Sequence, residues 1–433
     1  MIISVIGHGY VGLVTAAVFA DLGNTVFCVG RTKEKIENLK KGIIPFYEPG
    51  LAEVVKKNLA AGRLKFTLSY QEAIPPSEIV FICVGTPSLD NGEADLSQVF
   101  AAAETVGKNL KKEAIIVVKS TVPMGTVRKV AEIIEKVKPA ETSFEIASVP
   151  EFLREGTSLS DTLHPDRIVI GTDSPRAQKL LLKLHKPIDL PAGGFVLTDI
   201  PSAEMIKYAA NALLAMKISF SNAIAFLCEK TGANVEKVLD GVGLDKRLGR
   251  SFLYPGVGYG GSCLPKDIKA LISVFKKHKI SAKLFEAVDE INQEATARFV
   301  DKVTEVLGQD LKGKTLGVLG LSFKPNTDDL RDAPSITIIN ALAACGAKIR
   351  AFDPVTMPRA RQILKNVIYC KNSEEVGKGA DALLIITEWN EFRQLNLAKI
   401  KKLLKKPIIF DGRNIYNPEK VKKLGFIYKG VGR

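Results

Sequence analysis

The sequence predicts an α/β protein: two Rossmann-like, doubly wound α/β domains joined by a helical central domain with a long spine helix. Three observations carry this. Short β-branched runs alternate with amphipathic or Ala-rich stretches over the first 200 of the 433 residues. A continuous run at 202–231 has no Gly or Pro. A second strand–helix series opens at Lys314-Thr315-Leu316-Gly317-Val318-Leu319-Gly320. Repeated βα units imply a parallel sheet covered on both faces.

In chain order, residues 2–6, 25–29, 79–84, 115–119 and 143–149 read as buried parallel strands. The run that follows reads as one helix, capped by Ser202 and ended by Gly232. At about 1.5 Å per residue it spans roughly 45 Å, long enough to bridge domains. Its apolar face is expected to supply an oligomer contact. More helix follows to Leu307, interrupted by a glycine-rich loop at 254–262. Strands at 348–352, 382–387 and 407–410 continue the second series. The expected domains are 1–200, 201–312 and 313–433.

Composition limits the function classes. The chain is 46% hydrophobic and 25% charged, which supports packed cores and excludes disorder. Its formal charge is 61 − 47 = +14, with a pI near 9.3, so an anionic partner is expected: nucleic acid, a membrane surface or a phosphorylated ligand. No apolar run reaches the roughly 18 residues of a membrane span; residues 11–20 are apolar but are closed by Asp21 and Gly23. The N-terminus reads as a strand, not as a secretion leader. The six cysteines are dispersed without metal spacing and the four histidines are isolated, so no metal site is expected. A cytoplasmic chain with reduced thiols follows. The basic runs at 401–406 and 420–423 lack aromatic platforms and read as solvated helix faces, not a nucleic-acid stripe.

Gly7-His8-Gly9-Tyr10-Val11-Gly12 fits the dinucleotide fingerprint, and it follows a strand and opens a helix. Gly7 permits the turn, Gly9 lets a pyrophosphate approach the backbone, and Gly12 allows close helix–strand packing. The plainer alternative is a structural glycine turn. An acidic residue is expected at the end of the second strand to hold the adenosine ribose of NAD. The sequence there is Gly30-Arg31-Thr32-Lys33, with no acid, and an Arg in that place suits a 2′-phosphate.

The densest chemistry lies in Gly256-Val257-Gly258-Tyr259-Gly260-Gly261-Ser262-Cys263-Leu264-Pro265-Lys266-Asp267. Cys263 ends a glycine-rich loop beside a lysine, a setting that favours a nucleophilic thiolate. The other cysteines sit in strand or helix patterns and read as small buried hydrophobes. A purely structural Cys263 is the competing reading. Lys207 and Asn211 stand four residues apart on an Ala-rich helix and share a face. A snorkelling surface lysine is the alternative there.

Together the motifs resemble the UDP-glucose/GDP-mannose dehydrogenase family over essentially the whole chain. The resemblance rests on residues 7–13, Val84-Gly85-Thr86-Pro87, Lys119-Ser120-Thr121-Val122-Pro123 and Pro150-Glu151-Phe152-Leu153-Arg154-Glu155-Gly156. It continues through 207–211, 259–267 and Gly320-Leu321-Ser322-Phe323-Lys324-Pro325-Asn326-Thr327-Asp328-Asp329.

The resemblance implies an NAD(P)-dependent oxidation of a nucleotide-sugar C6 alcohol to a carboxylate, through a thiohemiacetal and a thioester on Cys263. It implies Lys207 as stabiliser of the alkoxide or oxyanion, and Asp267 as a group working with a water held by Thr121. Glu151 would assist hydrolysis. Glu155 would lie near the nicotinamide, and Asn211 would bind the sugar and position Lys207. Phe152, Leu153, Arg154, Phe252, Leu253, Gly260 and Lys324 would line the nucleotide-sugar site, with Glu151, Lys207 and Asn211 at the sugar. Arg247 would reach a partner subunit's substrate. Gly7, Gly9, Tyr10, Val11, Gly12, Arg31, Lys35, Thr86, Thr121, Glu155, Lys266 and Arg331 would contact the cofactor. Most of the family uses NAD, so NAD is expected; the family usually carries an acid where this chain has Gly30, so NADP stays open. A homodimer is implied, and no nucleic-acid or membrane partner.

The sugar motifs look most like the UDP-glucose branch, with GDP-mannose and UDP-N-acetylhexosamines as alternatives. Outside the family, a single-step β-hydroxyacid dehydrogenase shares the N-terminal domain and the Lys–Asn helix but has no use for Cys263. A non-catalytic nucleotide- or nucleic-acid-binding protein is suggested by charge alone.

Overall fold

A computed structural model describes all 433 residues. The chain forms two compact units, Met1–Ala210 and Asn211–Arg433.

The first unit holds an eight-stranded sheet. Its strands are β1 (Ile2–Ile6), β2 (Thr25–Val29), β3 (Leu64–Thr67), β4 (Ile79–Ile82), β5 (Ala114–Val118), β6 (Phe144–Ser148), β7 (Ile168–Gly171) and β8 (Phe195–Thr198). Their spatial order is β3-β2-β1-β4-β5-β6-β7-β8. The chain crosses over between β1 and β4, so the connections reverse direction there. Strands β1 to β6 pair in parallel, and β7 runs antiparallel to β6. Apolar clusters cover both faces, one around Leu13, Leu51 and Leu181, the other around Val99, Val130 and Ile134. That two-sided burial is why these strands read as continuous apolar runs.

The second unit holds a six-stranded sheet of β9 (Thr315–Leu319), β10 (Lys348–Phe352), β11 (Val367–Tyr369), β12 (Ala382–Ile385), β13 (Ile408–Asp411) and β14 (Ile427–Lys429). Its order is β11-β10-β9-β12-β13-β14, all parallel. Buried Leu316, Val318 and Ile338 fill one face; Leu383, Ile385 and Phe392 fill the other. The helices Leu264–Lys277 and Lys283–Leu307 precede it. The two doubly wound sheets are as predicted, the first parallel through β6 and the second throughout, and so is the long central helix. The strands β3, β7, β8, β11 and β14 were not expected.

The spine helix runs Ile200–Thr231, 32 residues or about 48 Å. It starts two residues earlier than predicted, with Pro201 in its first turn, where no amide donor is needed. Ser202 is not the cap. The Asp199 carboxylate accepts from the Ser202 amide at 2.8 Å and from its hydroxyl at 2.9 Å. The expectation that no stretch reaches membrane-spanning length also fails: an 18-residue window of this helix has a mean hydropathy of 1.4. Single lysines break an unbroken run without lowering the average enough. The helix nevertheless carries polar groups matched by protein. The Ser219 hydroxyl donates to the Val288 carbonyl at 2.7 Å, and the Asn222 side-chain carbonyl accepts from the Gly256 amide at 2.8 Å.

The basic runs lie on short C-terminal helices, Leu397–Leu403 and Pro418–Lys423, where Lys401, Lys402, Lys420, Lys422 and Lys423 are exposed around buried Ile400 and Val421.

Candidate active site

Because β1, β2, β4, β5 and β6 are parallel, their following loops gather at the carboxyl end of the first sheet, around the crossover. Gly7 has φ of +117°, and a Cβ there would lie 2.4 Å from the Cys83 carbonyl oxygen. A Cβ on Gly12 would lie 2.0 Å from the Gly7 carbonyl oxygen. These two glycines are required by protein packing. A Cβ on Gly9 would meet nothing within 4 Å. Gly9 is exposed and precedes the helix Tyr10–Asp21 without a side-chain cap. The first-turn amides of Tyr10, Val11 and Gly12 therefore face a space that an anionic ligand fits.

The Tyr10 side chain does separate work. Its hydroxyl donates to the Glu48 carboxylate and accepts from the Gly156 amide at 3.0 Å. Glu48 also accepts from the amides of Gly156 at 2.6 Å and Ser158 at 2.8 Å. Burial and the Glu48 carboxylate push the Tyr10 hydroxyl pKa up. Glu48 so anchors the loop that carries Glu151 to Glu155. The sequence reading missed it, although an acid in the turn-forming run Pro45-Phe46-Tyr47-Glu48-Pro49-Gly50 was a usable signal.

Two neighbouring loops are tied together: the Thr86 hydroxyl donates to the Thr121 carbonyl at 2.9 Å, and Ser120 to the Val84 carbonyl at 2.7 Å. Glu151 is buried and accepts from the Leu153 amide at 2.6 Å. Lys207, 4% exposed, lies 3.7 Å from Glu151 and 5.1 Å from the Phe152 ring centre. Lys207 is thus a buried charged residue with a carboxylate partner, not a snorkelling one. The Arg167 guanidinium covers the Phe152 ring at 3.7 Å. Lys119 sits close enough to feel Glu151 and Lys207, and burial pushes its pKa down. Buried Glu204, one turn before Lys207, accepts from the amides of Gly125 at 2.7 Å and Val127 at 2.9 Å, anchoring the segment after Thr121 to the spine helix. Leu153 and Glu155 are half-buried, while exposed Arg154 is forked onto Asp161. Arg31 and Lys35 are exposed after β2.

In the second unit, the cysteine loop is pinned from several sides. Asn292 accepts from the Tyr259 amide at 2.7 Å and donates to its carbonyl at 3.0 Å. Thr296 donates to the Val257 carbonyl at 2.7 Å, and Arg413 to the Gly258 carbonyl at 3.1 Å. A Cβ on Gly260 would fall 2.1 Å from the Asp332 carbonyl oxygen. Asn292 and Arg413 were missed; an Asn inside a helical pattern is the one hint the residues offered.

Cys263 precedes the helix Leu264–Lys277 in the N-cap position, half-buried, 3.6 Å from the Ser262 hydroxyl. Asp267 is 2% exposed, accepts from the Asn211 side-chain Nδ2 at 2.6 Å and pairs with Lys266. Of the other cysteines, Cys28, Cys83, Cys228 and Cys370 are buried, and burial pushes Cys83 up to about 12. Cys345 is half-buried instead, because it closes the helix Pro334–Ala344.

Phe252 has φ of +65°, a costly backbone for a bulky residue, and Leu253 beside it is buried. Lys324 is half-buried with its ammonium 5.4 Å from the Phe323 ring centre. Arg331 is forked onto buried Asp329 at 2.7–3.0 Å. Arg247 pairs with Asp245 and is 87% exposed.

A glycine cradle at the crossover of a doubly wound sheet, with a buried Lys–Glu pair in the same unit and a thiol at a helix N-terminus in the chain, defines a dinucleotide-dependent oxidoreductase. The profile of the UDP-glucose/GDP-mannose dehydrogenase NAD binding domain matches residues 1–189, that family's central domain matches 201–294, and its UDP binding domain matches 317–418. UDP-glucose 6-dehydrogenase TuaD of Bacillus subtilis (strain 168) is 48% identical over 432 residues, covering 100% of this chain and 93% of the relative. UDP-glucose 6-dehydrogenase of Rhizobium meliloti (strain 1021) is 46% identical, with 100% of both chains covered. A solved UDP-glucose dehydrogenase from the hyperthermophilic archaeon Pyrobaculum islandicum superposes with a TM-score of 0.91 at 38% identity, covering 99% of this chain and 97% of that one. The chain belongs to the UDP-glucose/GDP-mannose dehydrogenase family.

Proposed function

We propose that the chain oxidises the C6 primary alcohol of a UDP-sugar, UDP-glucose first, to the carboxylate, and that Cys263 holds the intermediate covalently. The observation that carries this is the setting of Cys263. It alone among the six cysteines stands at a helix N-terminus, where the partial positive charge favours a thiolate. Cys345 stands at a helix C-terminus, where the field has the opposite sign.

The Gly9 opening and the uncapped helix behind it fit a pyrophosphate, so residues 7–12 would hold a nicotinamide dinucleotide, with Thr86, Thr121, Glu155, Arg31, Lys35, Lys266 and Arg331 contributing. When bound, that group accepts the hydride lost from C6 in each of two oxidations. Lys207 stabilises the alkoxide as the C6 hydroxyl gives up its proton through the Thr121-held water and Asp267. The Cys263 sulfur then bonds to the aldehyde carbon, and the carbonyl oxygen takes a proton, giving a thiohemiacetal. Loss of the second hydride and of that proton gives a thioester. Water, with Glu151 as base, attacks the thioester carbon; the C–S bond breaks, the thiolate returns and the acid leaves. Asn211 donates to Asp267 and so orients it. Phe152, Leu153, Arg154, Phe252, Leu253, Gly260, Arg247 and Lys324 would line the nucleotide-sugar.

We also read the chain as three parts, 1–200, 201–312 and 313–433, and as a homodimer. Leu213, Phe220 and Leu227, seven residues apart on the spine helix, are 53%, 47% and 60% exposed, an apolar row suited to a second copy.

The test is a panel of UDP-glucose, GDP-mannose and UDP-N-acetylhexosamines with wild type and Cys263→Ser. UDP-glucose should turn over fastest, and the variant should lose net acid formation. Full acid formation by Cys263→Ser would refute the covalent step; a faster second sugar would move the substrate assignment.

A further inference from the structure

We propose that the adenosine end of this dinucleotide site is built for a 2′-phosphate, so that the chain binds NADP(H) in preference to NAD(H). The inference rests on the dinucleotide reading of residues 7–12 and goes beyond it.

Strand β2 ends at buried Gly30, whose amide donates to the Thr67 carbonyl at 3.0 Å. A Cβ on Gly30 would lie 2.6 Å from Ile36 Cδ1 and 2.7 Å from His8 Nδ1. The path that an acidic side chain would take from this position is filled by the His8 imidazole and by Ile36. The missing acid is therefore part of the packing, compensated by a residue inside the glycine turn itself. An NAD ribose would find no carboxylate at the end of β2 for its 2′-hydroxyl.

What it would find is positive charge. Residues 30–35 carry Arg31, Lys33 and Lys35 against Glu34, all exposed. The Arg31 guanidinium donates to the neutral amide of Gln98 at 2.9 Å, and so keeps its full charge for a ligand. Burial, Lys35 and Arg31, in that order, push the His8 pKa down, so both cations act on the imidazole electrostatically. The helix Lys33–Lys40 opens at the same point, and the Thr32 side chain makes no cap bond to its first-turn amides. A dianionic phosphate meets a fork, an ammonium and backbone donors at this point, each worth more to a charged ligand than to a ribose hydroxyl.

The test is direct binding to the full-length chain, by fluorescence titration of NADPH and NADH without sugar, with 2′,5′-ADP and 5′-ADP as displacing fragments. NADPH should bind at least tenfold more tightly than NADH, and 2′,5′-ADP should displace it better than 5′-ADP. Arg31→Ala and Lys35→Ala, both at exposed positions, should each shrink the NADPH-to-NADH ratio severalfold. Raised salt should weaken NADPH more than NADH. Equal or tighter NADH binding by wild type overturns the proposal, as does an unchanged ratio in both variants. Failure of both dinucleotides to bind overturns the dinucleotide reading of residues 7–12 and this proposal with it.

Discussion

Replacing Lys207 with Met separates what its charge does for the fold from what it does for the reaction. Lys207 and Glu151 have side chains only 5% and 6% exposed, with Nζ 3.7 Å from Oε1. At that separation and an effective dielectric near 20, the gross attraction is about 4.5 kcal/mol. Removing one partner of a buried pair costs about 3–5 kcal/mol, mostly from the orphaned charge. Glu151 keeps the Leu153 amide at 2.6 Å and Lys119 nearby, so the low end applies, about 3 kcal/mol. For a unit of this size that lowers the thermal midpoint by roughly 6–12 °C. Loss of a preorganised cation at a developing oxyanion costs about 10²–10³ in rate. The assay is thermal unfolding with single-turnover reduction of the dinucleotide, for Lys207→Met, Glu151→Gln and the double variant. Glu151→Gln should restore most of the stability lost by Lys207→Met and none of the first-hydride rate. A double variant that regains the rate would show that Lys207 serves only to neutralise Glu151. An unshifted midpoint in Lys207→Met would show that the pair is not desolvated.

Other outcomes follow from single side chains. Burial pushes His185 down to about 4 from an ordinary 6.5, so the unfolded chain takes up the proton first as pH falls. Stability is then lost from about pH 6.5 downward, by about 2 kcal/mol between pH 7 and pH 5. His185→Leu should flatten that slope in denaturant unfolding at the two pH values, and an identical slope would refute the assignment. The glycines of the first turn should divide by role. Gly12→Ala drives a Cβ onto the Gly7 carbonyl and should cost at least about 2 kcal/mol in unfolding free energy. Gly9→Ala meets no protein atom, so it should keep the wild-type midpoint and lose at least roughly tenfold in dinucleotide affinity. Unchanged affinity in Gly9→Ala would show that no phosphate approaches there.

Both sheets were legible as alternations of buried runs, and the strands that went unread explain the limit. Strands β3, β8, β11 and β14 are the four sheet edges. An edge strand pairs on one side only and is partly wet, so its side chains need not be uniformly apolar. Strand β3 exposes Lys65 between buried Leu64 and Phe66, and β14 alternates around buried Tyr428. Strand β7 is fully buried, but it runs antiparallel to β6 and breaks the βα rhythm that guided the reading.

At the candidate site, Cys263, Lys207, Asn211 and the first glycine turn could be picked out because glycine spacing, helix periodicity and residue chemistry are local properties. What the residues could not disclose is which distant groups hold them. Glu48 binds amides more than 100 positions away, and Arg413 reaches Gly258 across 155 positions. The Gly30 gap shows the division clearly. From the residues alone it was a missing acid beside an arginine. Packing revealed that His8, 22 positions earlier, stands in the acid's path. Chain chemistry is written in order along the sequence; the partners that desolvate, anchor or exclude a side chain are chosen by packing between segments far apart in it, and only the folded chain brings those together.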